Sequence, residues 1–184
     1  NFICNMLIDA YSKCGLVIEA QYIFDKLSVK TVHSWSAIIA GYSNMGKAEN
    51  ILCILNQMMA EDIQPNPVTF ISILNACSHL GLMIEGEMCF NAMLEVYGII
   101  PSSHHYACMV DLIGRTGQID TAISIIQHMP FPPCTIVWHT IMGACTKLGD
   151  LQLAKQAFDY AFQLDERDVA AYICVSNIYI DNDI

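Results

Sequence analysis

Residues 41–48 read GYSNMGKA, with Gly41, Gly46 and Lys47 at the spacing of a phosphate-binding P-loop. In such a loop, backbone N–H groups and the lysine cradle the phosphates of a nucleotide. The chemistry also needs a Ser or Thr after the lysine for magnesium, a buried strand before the loop and a helix after it. Ala48 stands where the hydroxyl belongs, and Trp35, Ile38, Ile39 and Tyr42 in the preceding stretch follow helical spacing, not strand alternation. Nucleotide chemistry is therefore not supported here. His104 and His105 suggest a ligand pair, yet adjacent residues on a helix do not face one site, so the pair reads as structural or surface. The nine cysteines, at 4, 14, 53, 77, 89, 108, 134, 145 and 174, contain no CxxC spacing. A zinc site and a disulfide framework lack support, and most of these thiols read as small buried apolar residues in a reducing compartment. No Ser-His-Asp arrangement is legible. The chain reads as a non-enzyme with no cofactor and no metal.

If these residues do no chemistry, their spacing must come from the elements that hold them. The 184 residues are 54% apolar and carry a formal charge of −10. No apolar run reaches the eighteen or so residues needed to cross a membrane, so no membrane association is expected and the apolar content points to helices buried on more than one side. The strong acidic balance argues against non-specific nucleic-acid binding. The chain opens at Asn1 without a basic or Arg/Ser-rich leader, as a mature segment or excised fragment would.

Glycines set the register. Aligned on Gly15, Gly46, Gly81, Gly117 and Gly149, the steps are 31, 35, 36 and 32 residues and the flanks read LIDAYSKCG, IIAGYSNMG, ILNACSHLG, MVDLIGRTG and IMGACTKLG. Eleven residues before each glycine stand Cys4, Trp35, Phe70, Tyr106 and Trp138, and Tyr172 continues the series. After each glycine a small or apolar stripe recurs at i, i+3, i+4, i+7, for example Ala20, Ile23, Phe24, Leu27 and Ala154, Ala157, Phe158, Ala161. Each unit is thus a helix, a tight turn at glycine, where a left-handed residue ends a helix at no Cβ cost, and a second helix. Proline and polar residues in DIQPNP, YGIIPSS, MPFPPC and LDERD separate the units. Five helix pairs and one further helix, from about Val169 to Tyr179, are expected. Stacked pairs of this kind form an all-α, right-handed α-solenoid with a concave inner surface. Tyr172, Ile173, Val175 and Ile178 are expected to be left without a partner helix.

The unit lengths and the segments VTFISILNACSHLGLMIEGEMCFNAMLEVYGIIPS and HHYACMVDLIGRTGQIDTAISIIQHMPFPP closely resemble pentatricopeptide repeat proteins of the plant PLS class. In that likeness residues 1–31 resemble an S-type unit, 32–66 a P-type unit, 67–102 an L-type unit and 103–134 a final S-type unit. Residues 135–168, with VWHTIMGACTKLGDLQLAKQAF, resemble a first, tetratricopeptide-like E motif, and 169–184 the truncated start of a second.

The resemblance implies single-stranded RNA as partner, one repeat facing one base, with the fifth and last residues of a repeat bonding the base edge. Carried over, these are Asn5 with Thr31 (a pyrimidine), Ser36 with Asn66 (adenine), Ile71 with Ser102 (little readout) and Ala107 with Cys134, which departs from the pattern. Phe2, His33, Val68 and His104 match the position that sandwiches the base. Lys13, Arg115 and Lys147, in a row with Asn44 and His79, match a site that approaches the RNA phosphates. Capping and turn chemistry alone would also explain Ser36 and Asn66, and a cation at a helix C-terminus would also explain Lys13. Acidic residues on the convex face would leave the inner groove locally positive.

Editing members of this family end in a DYW domain similar to zinc cytidine deaminases, with an HxE and a cysteine pair. None of His33, His79, His104, His105, His128 or His139 begins an HxE, and Cys134 after Pro133 has no second cysteine three residues on. The resemblance therefore implies a module that specifies C-to-U editing of organellar RNA, in the mitochondrion ahead of the chloroplast. Its E motifs would recruit editing cofactors or a DYW-type deaminase. The alternatives are a tetratricopeptide-like protein-binding scaffold, and a factor for RNA stabilisation or splicing without editing.

Overall fold

The computed structural model describes residues 2–181, and every regular element among them is an α-helix. The order is α1 (Phe2–Lys13), α2 (Val17–Asp25), α3 (Val32–Asn44), α4 (Ala48–Ala60), α5 (Pro67–Leu80), α6 (Met83–Glu95), α7 (Ser103–Arg115), α8 (Ile119–Gln127), α9 (Thr135–Leu148), α10 (Leu151–Leu164) and α11 (Val169–Asp181). This matches the five pairs and one further helix expected from the glycine register. Residues 182–184, the end of the segment read as a second E motif, lie outside the described residues.

The glycine turns share one geometry. Gly46 follows α3 with φ +66°, and the other four marker glycines lie in the same left-handed region. At each turn the residue after the glycine donates its N–H to a carbonyl five residues back, as Lys47 does to Tyr42 at 3.0 Å and Leu82 to Cys77 at 2.9 Å. This closes the orphan carbonyls of the helix end. The P-loop spacing at 41–48 is resolved by the same geometry: Gly46 is a helix-ending glycine, Lys47 precedes α4, and Gly41 is buried inside α3.

The chain forms two compact units, residues 1–100 and 101–184. In the first, α1 packs on α3 and α3 on α5, while each even helix packs on its own odd partner. In the second, α7 packs on α9 and α9 on α11, with α8 and α10 against them in the same way. Among the described residues, no even helix packs on another even helix within either unit. The odd helices therefore form the tighter row.

Small residues permit that tightness. A Cβ on Gly41 of α3 would lie 2.6 Å from the Ser12 hydroxyl of α1 and 3.3 Å from Val17. A Cβ on Gly114 of α7 would lie 2.8 Å from the Ala144 methyl of α9. The predicted stripes on the even helices face inward: Ala20, Phe24 and Leu27, then Ile51, Ile54 and Met58, then Ala154, Ala157 and Ala161 are all buried. Each larger member contributes roughly 1.5–3 kcal/mol by leaving water. The periodic aromatics find other rings. Trp35 meets Phe24 edge-on at 4.7 Å, Phe70 meets Tyr97 at 5.3 Å, Tyr106 meets Phe131 at 5.6 Å and Trp138 stacks on Tyr160 at 4.5 Å.

Two expectations need adjustment. Ile178 is fully buried, although Tyr172 and Ile173 are exposed as expected. Of the cysteines, 77, 108 and 145 are buried, but Cys14 and Cys53 are exposed and the other four are half-buried.

Candidate nucleic-acid interface

The residues expected to contact RNA lie on the odd helices or at the residue that caps the next one. Phe2, His33, Val68 and His104 occupy the first turns of α1, α3, α5 and α7 and are all exposed, Phe2 at 77% and Val68 at 58%. A flat or branched side chain standing free at a helix entrance can cover the face of an unstacked base.

The capping residues come next. Thr31 precedes α3, and its hydroxyl accepts from the Ser34 amide at 3.4 Å while the Ser34 hydroxyl lies 2.8 Å from the Thr31 amide. Asn66 precedes α5; its Oδ1 accepts from the Thr69 amide at 2.9 Å and from the Thr69 hydroxyl at 3.0 Å. Such reciprocal capping satisfies donors that a helix N-terminus leaves open. Ser102 precedes α7, and its amide donates to His105 Nδ1 at 3.0 Å, with its hydroxyl 2.8 Å from the same nitrogen. His105 is buried and His104 exposed, so the adjacent pair does not converge.

The fifth residues reach these caps from the preceding odd helix. Asn5 Nδ2 donates to the Thr31 hydroxyl at 3.4 Å. Ser36 does not meet Asn66 directly: it is only 5% exposed, and its hydroxyl lies 2.7 Å from that of Thr69, which donates onward to Asn66. Thr69 is thus a relay that the repeat pattern did not single out, although a hydroxyl three residues after a cap is a legible capping signal. Ile71 is half-buried and Ser102 exposed. Ala107 is buried. Cys134 precedes α9 in extended backbone and makes no side-chain cap bond. That pair brings no strong polar group to a base.

The structure also holds a pair that sequence reasoning missed. His139 on α9 and Asp168, which caps α11, are joined Nε2 to Oδ2 at 2.5 Å, and Asp168 Oδ1 accepts from the Ala171 amide at 3.2 Å. The Asp168 side chain is 9% exposed. Burial pushes its carboxyl up, but the hydrogen bonds from His139 and from the amides of Ala171 and Ala170, with the charge of His139, outweigh burial and hold it below its ordinary value. His139 and Asp168 stand in their unit where Asn5 and Thr31 stand in theirs. Carrying the register one unit further would have found them.

Charge is sorted by row. From α1 to α9 the odd helices carry two acidic residues, Asp9 and Asp111, each paired within its own helix, to Lys13 at 2.6 Å and to Arg115 at 2.8 Å. Lys147 has no ion-pair partner among the described residues. The other acids up to Asp168 lie on even helices and in loops. The chain's −10 charge is therefore kept largely off the row that carries the candidate contacts. The buried thiols add no reactivity: burial, reinforced by nearby acidic groups, pushes Cys77, Cys108 and Cys145 up to about 12, so none is a nucleophile at neutral pH.

Comparison with known proteins agrees with this architecture. The PPR repeat family profile matches residues 30–79, and the PPR repeat profile matches residues 2–31, 68–96 and 136–160. The chain is a pentatricopeptide repeat protein. A chloroplastic pentatricopeptide repeat-containing protein of Arabidopsis thaliana is 44% identical over 177 residues, 96% of this chain and 21% of the relative. A mitochondrial one from the same plant is 39% identical over 181 residues, 98% of this chain and 20% of the relative. The pentatricopeptide repeat chain thus spans about a fifth of the length of these relatives. Among solved structures, the maize pentatricopeptide repeat protein PPR10 superposes with a TM-score of 0.76 at 22% identity, covering 95% of this chain and 26% of that one. PPR10 in complex with an 18-nt psaJ RNA element gives 0.71 at 21% identity, covering 96% and 25%. The fold class is that of the pentatricopeptide repeat α-solenoids.

Proposed function

We propose that this chain is a single-stranded RNA-recognition module of a plant organellar protein and that it helps specify sites of C-to-U editing. The carrying observation is the Asn66 side chain. Its cap fixes Oδ1 on Thr69 and so leaves the amide donor open, while His33 in the first turn of α3 and Val68 in that of α5 are exposed. A donor held in that way discriminates base edges, and the flanking side chains supply stacking surface. The similar maize protein PPR10 has been solved with an RNA element, which supports the reading. The unit resemblances of the sequence (S-, P-, L- and S-type, then E-like) and relatives named chloroplastic or mitochondrial support an editing role in the mitochondrion or chloroplast. Deamination would be supplied by a further domain or by a recruited partner.

A second reading, a protein-binding scaffold, draws on one feature. A groove of about 500 Å³ runs beside Met129, Pro130, Phe131 and Pro133 to the stacked Trp138 and Tyr160, and aromatic grooves with prolines suit extended peptides. The discriminating experiment is sequencing of mitochondrial and chloroplast cDNA from plants lacking the protein. Loss of conversion at one or a few cytidines, with adenine and a pyrimidine upstream, is the expected result. Intact editing with an unspliced or depleted transcript would overturn the editing role, and unchanged transcripts throughout would favour the scaffold.

A further inference from the structure

The groove between α7 and α9 is richer in polar groups than its repeat pair allows. At this step the two-residue pattern supplies only Ala107 and Cys134, neither a strong hydrogen-bonding group. Yet the groove, about 330 Å³, is lined by Ile136, His139, Thr140 and Lys147 of α9 and by Asp111 and Arg115 of α7. We propose that this groove holds one nucleotide and that His139 contacts its base, in place of the missing repeat pair. The inference rests on the RNA-binding reading above.

Three observations converge on it. Ile136 is the counterpart in α9 of Phe2, His33, Val68 and His104, and like them it is exposed, so it offers the same covering surface to a base. Lys147 has no partner among the described residues, and Arg115 lies across the groove from it, so the far end is cationic. Helical side chains lean toward the N-terminus. Lys147, two turns after His139 and about 12 Å along the axis, therefore leans back over the groove toward it. A phosphate at Lys147 and Arg115 then leaves its base near His139.

Asp168 decides what His139 offers. Its carboxylate accepts from Nε2, which places a proton on that nitrogen and leaves Nδ1, on an uncharged ring, as the acceptor. Nδ1 has no partner among the described residues. An acceptor here suits the exocyclic amine of cytosine or adenine and disfavours the carbonyl that uracil or guanine places there. Thr140 donates its hydroxyl to the Ile136 carbonyl at 2.9 Å and keeps acceptor capacity toward the groove. Asp168 is a positioning residue.

The test is selection of bound sequences from a random RNA pool by the full-length protein, as wild type, His139→Ala and His139→Phe. Phe keeps a ring of similar size but no nitrogen, and thermal melting establishes that it folds. The expected wild-type motif has one position restricted to cytosine or adenine. Both variants lose that restriction while the rest of the motif persists. A wild-type motif unchanged in both variants overturns the inference and leaves the RNA-binding reading standing. A uniform loss of affinity without change at one position also overturns it, since that is what a purely structural histidine would give. Absence of any motif for the wild type overturns both.

Discussion

Asn66 accepts two hydrogen bonds through one oxygen, from the amide and the hydroxyl of Thr69. That assigns the side-chain amide its orientation: the oxygen faces the helix and the NH₂ faces outward. On the proposed reading, stability and base readout therefore sit on different atoms of one residue and can be separated. Asn66→Asp keeps the capping oxygen and suits the positive end of α5, so the melting temperature should hold or rise slightly. The outward donor becomes an acceptor, so adenine loses its partner at N1 while guanine offers an N–H there. We expect the preferred base at that position to change from adenine to guanine, and Asn66→Ala to lose preference together with about 1 kcal/mol of stability. RNA selection and thermal melting on the same variants decide it; an adenine preference that survives Asn66→Asp removes Asn66 from the readout. The sequence singled out Asn5, Thr31, Ser36 and Asn66 by phase alone, and they lie on α1, before α3, on α3 and before α5. It did not show that Ser36 is buried behind Thr69, because a relay through a third residue depends on the approach of α3 to α5. His139 and Asp168 were legible by phase, but they fall in a unit whose resemblance pointed to protein contacts.

Helix boundaries were readable from turn chemistry, since glycine after the odd helices and proline or polar runs between units leave little choice. The packing of one odd helix on the next was less readable, because it depends on small residues whose partners lie a whole unit away. Gly114 shows how magnitudes decide. On helix propensity alone, Gly114→Ala would stabilise α7 by about 1 kcal/mol. The new methyl would lie 2.8 Å from that of Ala144, well inside the 3.5–4.0 Å of a favourable carbon contact. Overpacking of this kind costs about 1–3 kcal/mol, so the net effect should be destabilising. Ala144→Gly should be destabilising alone, by about 1 kcal/mol, yet it should relieve the clash when combined with Gly114→Ala. Urea denaturation of the two single variants and the double variant measures the coupling. Additive effects would mean that α7 and α9 relax apart without cost.

Eighteen acidic residues against eight Lys and Arg make an unpromising nucleic-acid binder if charge is counted without regard to place. Sorted by helix row, the objection weakens, because Asp9 and Asp111 are already neutralised by Lys13 and Arg115 and the remaining acids up to Asp168 lie off the odd helices. The same sorting ranks the cations. Under the proposed RNA reading Lys147 would meet a phosphate without giving up a partner, whereas Lys13 and Arg115 would have to exchange a carboxylate for it. Each phosphate neutralised on a single strand contributes about −0.7 to the slope of log affinity against log salt. Lys147→Ala should therefore flatten that slope by about 0.7, and Lys13→Ala or Arg115→Ala should flatten it less, because each of these cations is already largely neutralised by its helix carboxylate. Fluorescence anisotropy with one labelled oligoribonucleotide across a salt series reads all three. Equal changes for the three variants would show that the helix ion pairs do not compete with RNA, and no change for Lys147→Ala would take this residue out of the phosphate path.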